Sequence, residues 1–587
     1  MKKNKEEFIP SKYQLDIFNF IKNETGNLVV QASAGSGKTT TLIKCLDYIP
    51  NDNKVLISAF NKAIAKELSK RTSKLSNVDV KTLHSLGLSI IRMNFPQIGG
   101  MPDLYKYDNI IKTNLRKLSR LNTYRLKREE YQRYIANIKK YVDFGRMYLC
   151  STPKDLDFIE NRYDIDTIGD EKDIAISVME IGKEALESID YYDMVWLPNV
   201  LNLDVMWMTY DFIFLDECQD VNKAERELIF KCFKENTRLI SVGDENQCIY
   251  SFSGADPDSF NVLKSLPNTK MLPLSISYRC GKNIVDLAKN IVPTIEAADD
   301  AINGVVSRDV QLDEISDGDM ILCRNNAPLV QIYNEYLKSG KKAFIMGKDI
   351  GKNLKTAVEN TNQRKLNVDC RQDGVFARLY YDLFTTRDKL MDRMMIDEDT
   401  AIASQQVQSK LDIIKALEVL SEGVNTSTEL ISKINAIFSD SNKNEGVSLS
   451  TIHKAKGLEA DNVYIACESL MPSKSAKKDW EIRQEMNLIY VAYTRAKKTL
   501  GFIDESDFGD FNSQNSKAAL KRIENLINNI FGRTNKIVVD NTNAKKIVSR
   551  AEIIDINTFR GNSVNLSGSQ NKRKVNTFSD LLKNKRK

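Results

Sequence analysis

Short apolar runs recur along the chain, each followed by turn residues and then by a helical pattern. In the first half these runs are Leu28–Gln31, Val55–Ala59, Phe212–Leu215 and Leu239–Val242. In the second half they are Met320–Cys323, Ala343–Met346, Val463–Cys467 and Leu500–Ile503. Continuous runs of this length, rich in β-branched residues, are typical of buried parallel strands. Two separate sets of strands predict an α/β protein with two domains rather than one large sheet.

Two long stretches with a helical pattern interrupt these sets of strands, at residues 96–199 and 355–445. We therefore predict a first α/β domain from residues 1–95 and 200–275, and a second from residues 276–354 and 446–508. From about residue 509 the periodicity is lost, and Asn, Ser and Lys become frequent. This composition predicts a basic, disordered tail over residues 509–587.

Composition sets wide limits on the class of protein. The chain has 587 residues, 42% of them apolar, which is enough for several cored domains. A formal net charge of +6 permits a nucleic-acid partner without arguing strongly for one. No apolar stretch reaches membrane-spanning length, and no apolar segment of a secretion signal follows the charged Met1–Glu7. We expect no membrane association.

The cysteines indicate a reducing compartment. Nine cysteines are scattered along the chain without a CxxC pair, so we expect neither a structural metal nor a disulfide framework. The Asn- and Lys-rich composition suggests an AT-rich bacterial or viral genome. We expect the protein in the cytoplasm of a bacterial or phage-infected cell, associated with the nucleoid.

A glycine-rich loop follows the first apolar run and predicts a phosphate site. The loop and the helix start after it read Ala32, Ser33, Ala34, Gly35, Ser36, Gly37, Lys38, Thr39 and Thr40. Strand, glycine loop and helix start are the context of a P-loop, in which backbone N–H groups cradle phosphates. Lys38 would reach the β- and γ-phosphates of ATP, and the Thr39 hydroxyl would hold Mg²⁺. The alternative is an ordinary glycine turn, and Ala32 replaces the first glycine of the general pattern.

An acidic pair supplies the second half of the predicted nucleotide site. Asp216 and Glu217 follow the apolar run Phe212–Leu215, which would deliver both carboxylates to the carboxyl edge of the sheet, beside the P-loop. Asp216 would bind Mg²⁺, and Glu217 would act as general base on the attacking water. In isolation such a pair is usually the solvated start of a loop.

Gln14 has two interpretations that the residues alone do not separate. Its amide could pair with adenine, but Ser11 and Gln14 also have the spacing of a helix capping box.

Further segments resemble, in the right order, the motifs of the UvrD/Rep/PcrA helicases of superfamily 1. The resemblance spans residues 14 to 496 and rests on Ala59–Lys62 (AFNK), Thr82–Ser85 (TLHS), Leu215–Asp220 (LDECQD), Gly243–Ala255 (GDENQCIYSFSGA), Ser277–Arg279 (SYR), Thr451–Glu459 (TIHKAKGLE) and Tyr490–Ala496 (YVAYTRA). The two histidines of the chain, His84 and His453, both lie in these motifs. The resemblance implies two RecA-like P-loop NTPase domains, with helical insertions 1B at residues 96–199 and a reduced 2B at residues 355–445.

The resemblance also implies roles for residues outside the P-loop and the acidic pair. Arg279 and Arg495 would reach the γ-phosphate across the cleft and stabilise charge in the transition state. Gln247 would sense that phosphate, Tyr278 would stack on adenine, and Glu459 would accept a hydrogen bond from the ribose. The same resemblance favours the adenine interpretation of Gln14. An isolated arginine is more commonly part of a surface ion pair.

On the DNA side, the resemblance implies a strand path across both domains. Phe252 stands where the family usually has a tryptophan that stacks on a base, although it could instead be a core aromatic. The other implied DNA contacts are Phe60, Thr82, His84, Tyr250, Thr451 and His453. Ser253 stands where relatives often have arginine. The basic, tyrosine-rich segment Leu104–Tyr148 is either a DNA-contacting arm or a solvated helical face.

The favoured function is an ATP- and Mg²⁺-dependent DNA helicase that acts on single strands and on junctions with duplex, with 3′-to-5′ polarity by resemblance. A translocase that strips proteins from single strands and unwinds poorly remains open, because Phe252 and Ser253 stand where the family usually has other residues and the 2B segment is short. An ATP-gated DNA-binding scaffold is the non-enzymatic alternative, although the catalytic groups are all present. Residues 577–582 of the tail are either a docking peptide for replication or recombination proteins or part of a solvating basic tail.

Overall fold

The computed structural model describes residues 8–532, apart from 122, 124–125, 206, 257, 439–444 and 505–516. Two six-stranded parallel sheets organise this part of the chain. The strands of the first sheet are β1 Asn27–Ala32, β2 Val55–Ala59, β3 Val78–Thr82, β4 Tyr210–Asp216, β5 Phe233–Gly243 and β6 Thr269–Leu274. Their order is β3-β2-β4-β5-β1-β6, and every pairing is parallel.

The second sheet is built from the carboxyl half of the chain. After a small pair, β7 Ile276–Ser277 with β8 Glu296–Ala297, its strands are β9 Val305–Val310, β10 Met320–Cys323, β11 Ala343–Ile345, β12 Val447–Thr451, β13 Ala460–Ala466 and β14 Ala496–Ile503. The order is β11-β12-β10-β13-β14-β9, again parallel throughout. The predicted α/β fold with two sets of parallel strands is confirmed.

Helices cover both faces of each sheet, as parallel sheets require. Those before or within the first sheet's segment are α1 Lys12–Asn23, α2 Lys38–Cys45, α3 Lys62–Thr72, α4 Leu83–Asn94, α5 Lys106–Leu118, α6 Arg128–Met147, α7 Leu156–Tyr163, α8 Glu171–Glu184, α9 Tyr191–Val200, α10 Lys223–Lys231 and α11 Ser259–Lys264. Those that follow are α12 Lys282–Ala288, α13 Asn326–Lys338, α14 Lys348–Asn360, α15 Val375–Met394, α16 Glu398–Ile402, α17 Gln405–Leu420, α18 Ser427–Ile437, α19 Asp479–Tyr493 and α20 Lys517–Phe531.

The helices of residues 96–199 share one core with the first sheet. Ile213 of β4 and Leu56 of β2 belong to the same buried cluster as Tyr134 and Tyr141 of α6. Both tyrosines are completely buried, so they pack the insertion and offer no face to DNA. We call this sheet with its helices, including the insertion, the first lobe.

The helices of residues 355–445 likewise complete the core of the second sheet. Ile321 of β10 and Leu449 of β12 cluster with Phe376 of α15 and Leu417 of α17. The opposite face of the sheet, with Leu322 of β10, packs on α12 and α19. The short 2B-like segment is therefore a covering layer of the sheet. We call this sheet with its helices the second lobe.

The prediction of disorder from residue 509 onward is wrong for residues 517–531, which form α20. Leu520 and Ile527 are buried in the core of the second lobe, and Arg387 of α15 donates to Glu524 at 2.7 Å. The Phe531 ring lies 4.9 Å from that of Tyr381. Apolar residues at helical spacing in α20 give a helix that only this docking surface stabilises. Residues 533–587, with the proposed docking peptide, lie outside the described residues.

Leu520→Ala should release α20 from the second lobe. Truncating a buried leucine costs about 2–5 kcal/mol, which exceeds what a single short helix gains from its own hydrogen bonds. We expect faster amide hydrogen exchange across residues 517–531, measured by mass spectrometry. Arg522→Ala, at an exposed position of the same helix, is the control and should leave exchange unchanged. Equal protection of α20 in both variants would contradict the assigned docking.

Among the described residues, no helix combines the length and the apolar character needed to cross a lipid bilayer.

Candidate functional site

The predicted P-loop connects β1 to α2 at the carboxyl edge of the first sheet. Gly35 and Gly37 have φ of +71° and +78°, in the left-handed region that favours glycine. A Cβ at Gly35 would lie 2.6 Å from the Cβ of Arg279, so no side chain fits there. The Ser36 hydroxyl is buried without a hydrogen-bond partner within the described part of the chain. The first N–H groups of α2 and this hydroxyl are therefore available to an anion.

Lys38 lies at the first position of α2 and pairs with Glu217. Its Nζ is 3.1 Å from Glu217 Oε1, and both side chains are largely buried. Asp216 ends β4, and Asp244 follows β5, which lies between β4 and β1. One ammonium and three carboxylates thus share the carboxyl edge of the sheet, where ligands of open α/β sheets bind. Thr39 and Thr40, both partly exposed, occupy the next positions of α2.

The charges of this cluster shift one another's protonation. Burial alone would raise the pKa of Glu217, but the ammonium groups of Lys38 and Lys456 lower it to about 2. Burial and the charge of Glu217 raise the pKa of Asp216. Burial opposes the charge of Lys38, but Glu217, Asp244 and Asp216 outweigh it and raise its pKa. Glu217 and Lys38 are therefore both charged at neutral pH.

The backbone at Glu217 is strained and held by neighbouring groups. Its φ is +50°, which is unusual for a residue with a side chain, and its N–H donates to Asp216 Oδ1 at 2.9 Å. Gln219 donates to Glu217 Oε2 at 2.7 Å and accepts from the Asp244 N–H at 3.0 Å. Gln219 thereby fixes the orientation of the Glu217 carboxylate relative to β5.

The two predicted arginine fingers lie in the second lobe beside the P-loop. Arg279 Nε donates to Glu459 Oε2 at 2.7 Å, and its Nη1 donates to the Thr494 carbonyl at 3.2 Å. Arg495 is almost fully buried and donates to the carbonyls of Val491 and Leu458. Burial and the charge of Arg279 lower the pKa of Arg495 to about 10. Arg495 stays cationic at neutral pH, with carbonyl and hydroxyl oxygens as its acceptors.

Gln14 forms the capping box of α1 with Ser11 and also contacts the P-loop helix. Its Oε1 accepts from the Ser11 N–H at 2.9 Å, and its Nε2 donates to the Thr41 hydroxyl of α2 at 3.0 Å. Gln14 therefore forms the capping box and also lies against the P-loop helix, so its position is compatible with both interpretations. Both ends of its side-chain amide already form hydrogen bonds. Tyr278 has a half-exposed ring, and its N–H donates to the Gly35 carbonyl at 2.9 Å. Its ring is available for stacking.

Lys456 links the acidic edge of the first sheet to the second lobe. Its ammonium donates to the Asp220 carboxylate and, at 2.6 Å, to the Gln247 carbonyl, and all three side chains are buried or nearly so. The Gln247 amide donates to Asp244 Oδ2 at 2.7 Å. Lys456 therefore contacts the segment between Asp244 and Gln247 directly from the second lobe.

Two further contacts join α19 of the second lobe to the first lobe. The hydroxyl of Tyr490 accepts from the Ala34 N–H of the P-loop at 2.9 Å. The amide of Asn487 donates to the carbonyls of Glu245 and Cys248, both at 3.0 Å. Helix α19 thus contacts both the P-loop and the segment after β5.

An aromatic patch, formed by Phe60, Tyr250, Phe252 and His453, crosses from the first lobe to the second. The Phe60 and Tyr250 rings stack at 6.4 Å, and the Phe252 ring lies edge-on to His453 at 5.5 Å. Tyr250 also donates to the His453 carbonyl at 3.0 Å. Phe252 is 41% exposed and Phe60 44%, so Phe252 is not a core aromatic. Burial and the Arg324 charge lower the pKa of His453 to about 3, so it is neutral at physiological pH.

The remaining residues predicted to contact DNA lie near these elements but outside the patch. Thr82 ends β3 and caps α4 by accepting from the Ser85 N–H at 3.2 Å. His84 is partly exposed, with its ring 6.3 Å from that of Tyr191. Thr451 ends β12, and its carbonyl accepts from the Lys454 N–H at 3.0 Å.

Two parts of the sequence match known domain families. Residues 16–267 match the UvrD/REP helicase N-terminal domain, and residues 446–503 match the UvrD-like helicase C-terminal domain. The chain belongs to the UvrD/Rep/PcrA family. The two matched regions contain most of the motif segments that meet between the two lobes, and Ser277–Arg279 lies between the two regions.

Curated relatives of the family align over most of the chain. It is 23% identical to the ATP-dependent DNA helicase Rep of Buchnera aphidicola, over 82% of this chain and 93% of that protein. It is 24% identical to the ATP-dependent DNA helicase PcrA of Staphylococcus epidermidis, over 90% and 89%. It is also 24% identical to F-box DNA helicase protein 1 of Schizosaccharomyces pombe, over 81% of this chain and 55% of that protein.

Sequence reasoning assigned no role to several residues that connect the site. Lys456, Asp220, Asp244 and Tyr490 all lie inside the motif segments, so their position was the available signal. Their partners lie on other motifs, 25 to 456 residues away.

Proposed function

We propose that this chain is a motor that hydrolyses ATP between its two lobes, moves along single-stranded DNA in the 3′-to-5′ direction and unwinds duplex DNA. The observation that supports this most is the bridge from Lys456 to Asp220 and the Gln247 carbonyl. It joins the predicted catalytic edge to the second lobe, and Lys456 Nζ also lies 5.0 Å from the ring centroid of Tyr250 in the aromatic patch.

The residues of the P-loop fit a nucleoside triphosphate with Mg²⁺. The unpartnered Ser36 hydroxyl and the ammonium of Lys38, now neutralised by Glu217, are the groups that a polyphosphate would engage. Thr39 and Asp216 would hold Mg²⁺, since hydroxyl and carboxylate oxygens are its preferred protein ligands. When bound, the ion would neutralise charge on the phosphate oxygens. Gln14 and Tyr278 would contact adenine, and Glu459 the ribose.

Glu217 would act as the general base of the reaction. Transfer of Lys38 from Glu217 to the phosphates would leave the carboxylate free to accept a proton from water. The water oxygen forms the new bond to the γ-phosphorus, and the bond to the bridging oxygen breaks, so that the electron pair leaves with ADP. Arg279 and Arg495 would stabilise charge on the transferred group.

Closure of the lobes would couple this reaction to DNA. Arg279 and Arg495 belong to one lobe and Lys38 and Glu217 to the other, so hydrolysis requires their approach. The same approach changes the spacing between Phe252 and His453. Bases stack on aromatic faces without regard to sequence, which suits a motor that must pass over any DNA.

The test is ATP hydrolysis with and without single-stranded DNA or RNA, followed by unwinding of duplexes with 3′ or 5′ tails. We expect hydrolysis to be stimulated by DNA and unwinding to require the 3′ tail. Lys38→Ala, which removes the phosphate-binding ammonium, should abolish both.

Each alternative gives a different result in this test. Translocation and DNA-stimulated hydrolysis without strand separation would indicate a translocase that displaces proteins. Nucleotide-dependent DNA binding without any hydrolysis would indicate a scaffold and would refute the motor.

A further inference from the structure

Asn487 lies in the middle of α19, outside the motif segments, and joins this helix to the first lobe. The residue is only 5% exposed, and its amide nitrogen donates to the main-chain carbonyls of Glu245 and Cys248, both at 3.0 Å. These carbonyls belong to the first residue of the 3₁₀ turn Glu245–Gln247 and to the residue after it. We call this turn the sensor turn, because it carries the predicted γ-phosphate sensor Gln247. An amide NH₂ group has two hydrogens, so Asn487 can serve both carbonyls at once.

The sensor turn is held from both lobes. On the side of the first lobe, Asp244 accepts from the Gln247 N–H at 2.8 Å through its carbonyl and from the Asn246 N–H at 3.0 Å through its carboxylate. On the side of the second lobe, Lys456 Nζ donates to the Gln247 carbonyl at 2.6 Å, beside the two carbonyls that Asn487 serves. The N–H groups of the turn are therefore bound by its own lobe, and its carbonyls by the other lobe.

The segment that contains the sensor turn runs from the nucleotide edge to the aromatic patch. At its start, Asp244 accepts from the Gln247 side-chain amide at 2.7 Å. At its end, Ile249 is buried in the core of the second lobe, and Tyr250 of the patch donates to the His453 carbonyl at 3.0 Å. Only two residues separate Gln247 from Tyr250, and Asn487 holds the main chain between them.

Helix α19 also carries contacts to the nucleotide site. Tyr490, about one turn after Asn487, accepts from the Ala34 N–H of the P-loop at 2.9 Å. The predicted finger Arg495 lies two residues beyond the end of the helix. Coupling between distant sites is carried by rigid elements and hydrogen-bond networks. Asn487 is the point at which the rigid helix meets the sensor turn.

We propose that Asn487 is a positioning residue that couples DNA on the aromatic patch to ATP hydrolysis, by holding the sensor turn against α19. The proposal rests on the proposed function and deepens it. Asn487 would act through Gln247 and Tyr250 rather than on the phosphate or the DNA. Loss of its two hydrogen bonds should leave each site able to bind its own ligand but weaken the link between the two sites.

Linked binding measures this coupling in the full-length protein. In the wild type, a non-hydrolysable ATP analogue with Mg²⁺ should change the Kd for fluorescent oligo(dT) by about 5- to 150-fold, the usual range of coupling between two sites. In Asn487→Ala, the Kd without nucleotide should match the wild type. The effect of the analogue on that Kd should shrink by about 2- to 30-fold, the range for substitutions along a coupling network. A residue that merely supports the fold would not change this ratio.

Hydrolysis gives the second readout. The ratio of kcat with saturating oligo(dT) to kcat without DNA should fall by a similar factor in Asn487→Ala. Asn487→Asp has the same shape, but its carboxylate oxygens cannot donate to the two carbonyls, so this variant should lose the same ratio. Thermal melting would establish that each variant is folded. If Asn487→Ala does not fold, Asn487→Asp provides the same comparison.

Asn199→Ala is the matched control. The amide of Asn199, at the end of α9, also donates to two main-chain carbonyls, those of Val195 and Ala224, at 2.8 and 2.9 Å. All three of these residues belong to the first lobe, so their contacts do not join the two lobes. Asn199→Ala should therefore keep the wild-type coupling in both measurements, even where its melting temperature is lower.

The outcomes separate this proposal from the proposed function. If the wild type shows coupling and Asn487→Ala keeps all of it, the Asn487 proposal is wrong and the motor stands. If Asn487→Ala weakens DNA binding equally with and without the analogue, the residue serves DNA binding alone, and the proposal is again wrong. Equal loss of coupling in Asn199→Ala would also overturn it, as an effect of general destabilisation. If the wild type neither binds DNA nor hydrolyses ATP, the proposed function itself fails.

Discussion

Replacing Glu217 by glutamine should lower kcat for DNA-stimulated ATP hydrolysis by about 10²–10⁴-fold, the contribution of a positioned general base. The amide keeps the shape of the side chain and its hydrogen bonding to Gln219, but it cannot accept a proton from water. The carboxylates of Asp216 and Asp244 still raise the pKa of Lys38. Its ammonium therefore stays charged and available to the phosphates, so ATP should still bind. Steady-state hydrolysis together with binding of a fluorescent ATP analogue would measure both effects.

Glu245→Gln is the matched control for Glu217→Gln. Glu245 lies in the same lobe, but its side chain is exposed and 3.7 Å from Lys264, away from the P-loop contacts. The Glu245→Gln protein should hydrolyse ATP at close to the wild-type rate. A Glu217→Gln protein with full activity would remove Glu217 from the role of base and leave Asp216 or Asp244 as the candidates.

Arg279→Ala should lower DNA-stimulated kcat by about 10³–10⁵-fold, the effect of removing an arginine finger. Arg279 lies against the P-loop at Gly35 and is the less buried of the two guanidinium groups, so its loss should perturb folding less than that of Arg495. Arg279→Lys should recover little activity, because an ammonium cannot reproduce the planar fork. The rate of phosphate release at saturating ATP and DNA would measure the loss of kcat.

Lys497→Ala controls for the ion pairs that Arg279 makes. Lys497 binds the same Glu459 carboxylate at 2.7 Å, but its side chain is 38% exposed. A surface ion pair is worth little, so this variant should keep nearly full kcat. If Arg279→Ala and Lys497→Ala lost activity equally, the role of Arg279 would be to position Glu459 rather than to act on the phosphate.

The strands that the sequence pattern failed to predict are mostly at sheet edges. β3 and β6 are the two edges of the first sheet, and β9 is an edge of the second. Edge strands are half solvated, so their residues mix apolar with charged side chains, as in Val78–Thr82 and Val305–Val310. The central strands are buried on both faces, and their continuous apolar runs therefore predict them from the sequence. β12 is central but contains Ser448 and Ser450, which break its apolar run.

Helix α20 shows the same limit in a different form. Its surroundings in the sequence are rich in Asn, Ser and Lys, and composition averaged over the tail predicted disorder. The helix is stabilised by contacts of Leu520, Ile527 and Glu524 with residues more than 100 positions earlier, such as Arg387. The helical spacing of its apolar residues is a local pattern, but no local pattern identifies the surface on which the helix docks.

The amino-acid pattern alone predicted the α/β class, the two sets of central strands, and the motif residues from Lys38 to Arg495. These features depend on local periodicity and on short chemical patterns, which act within a few residues of each other. The bridge from Lys456 to Asp220, the contact of Tyr490 with the P-loop, and the placement of Trp480 and Phe252 at one cleft arise only in the folded protein. Such pairs depend on how the two lobes pack, because their partners are distant in the chain and meet only when both cores have formed.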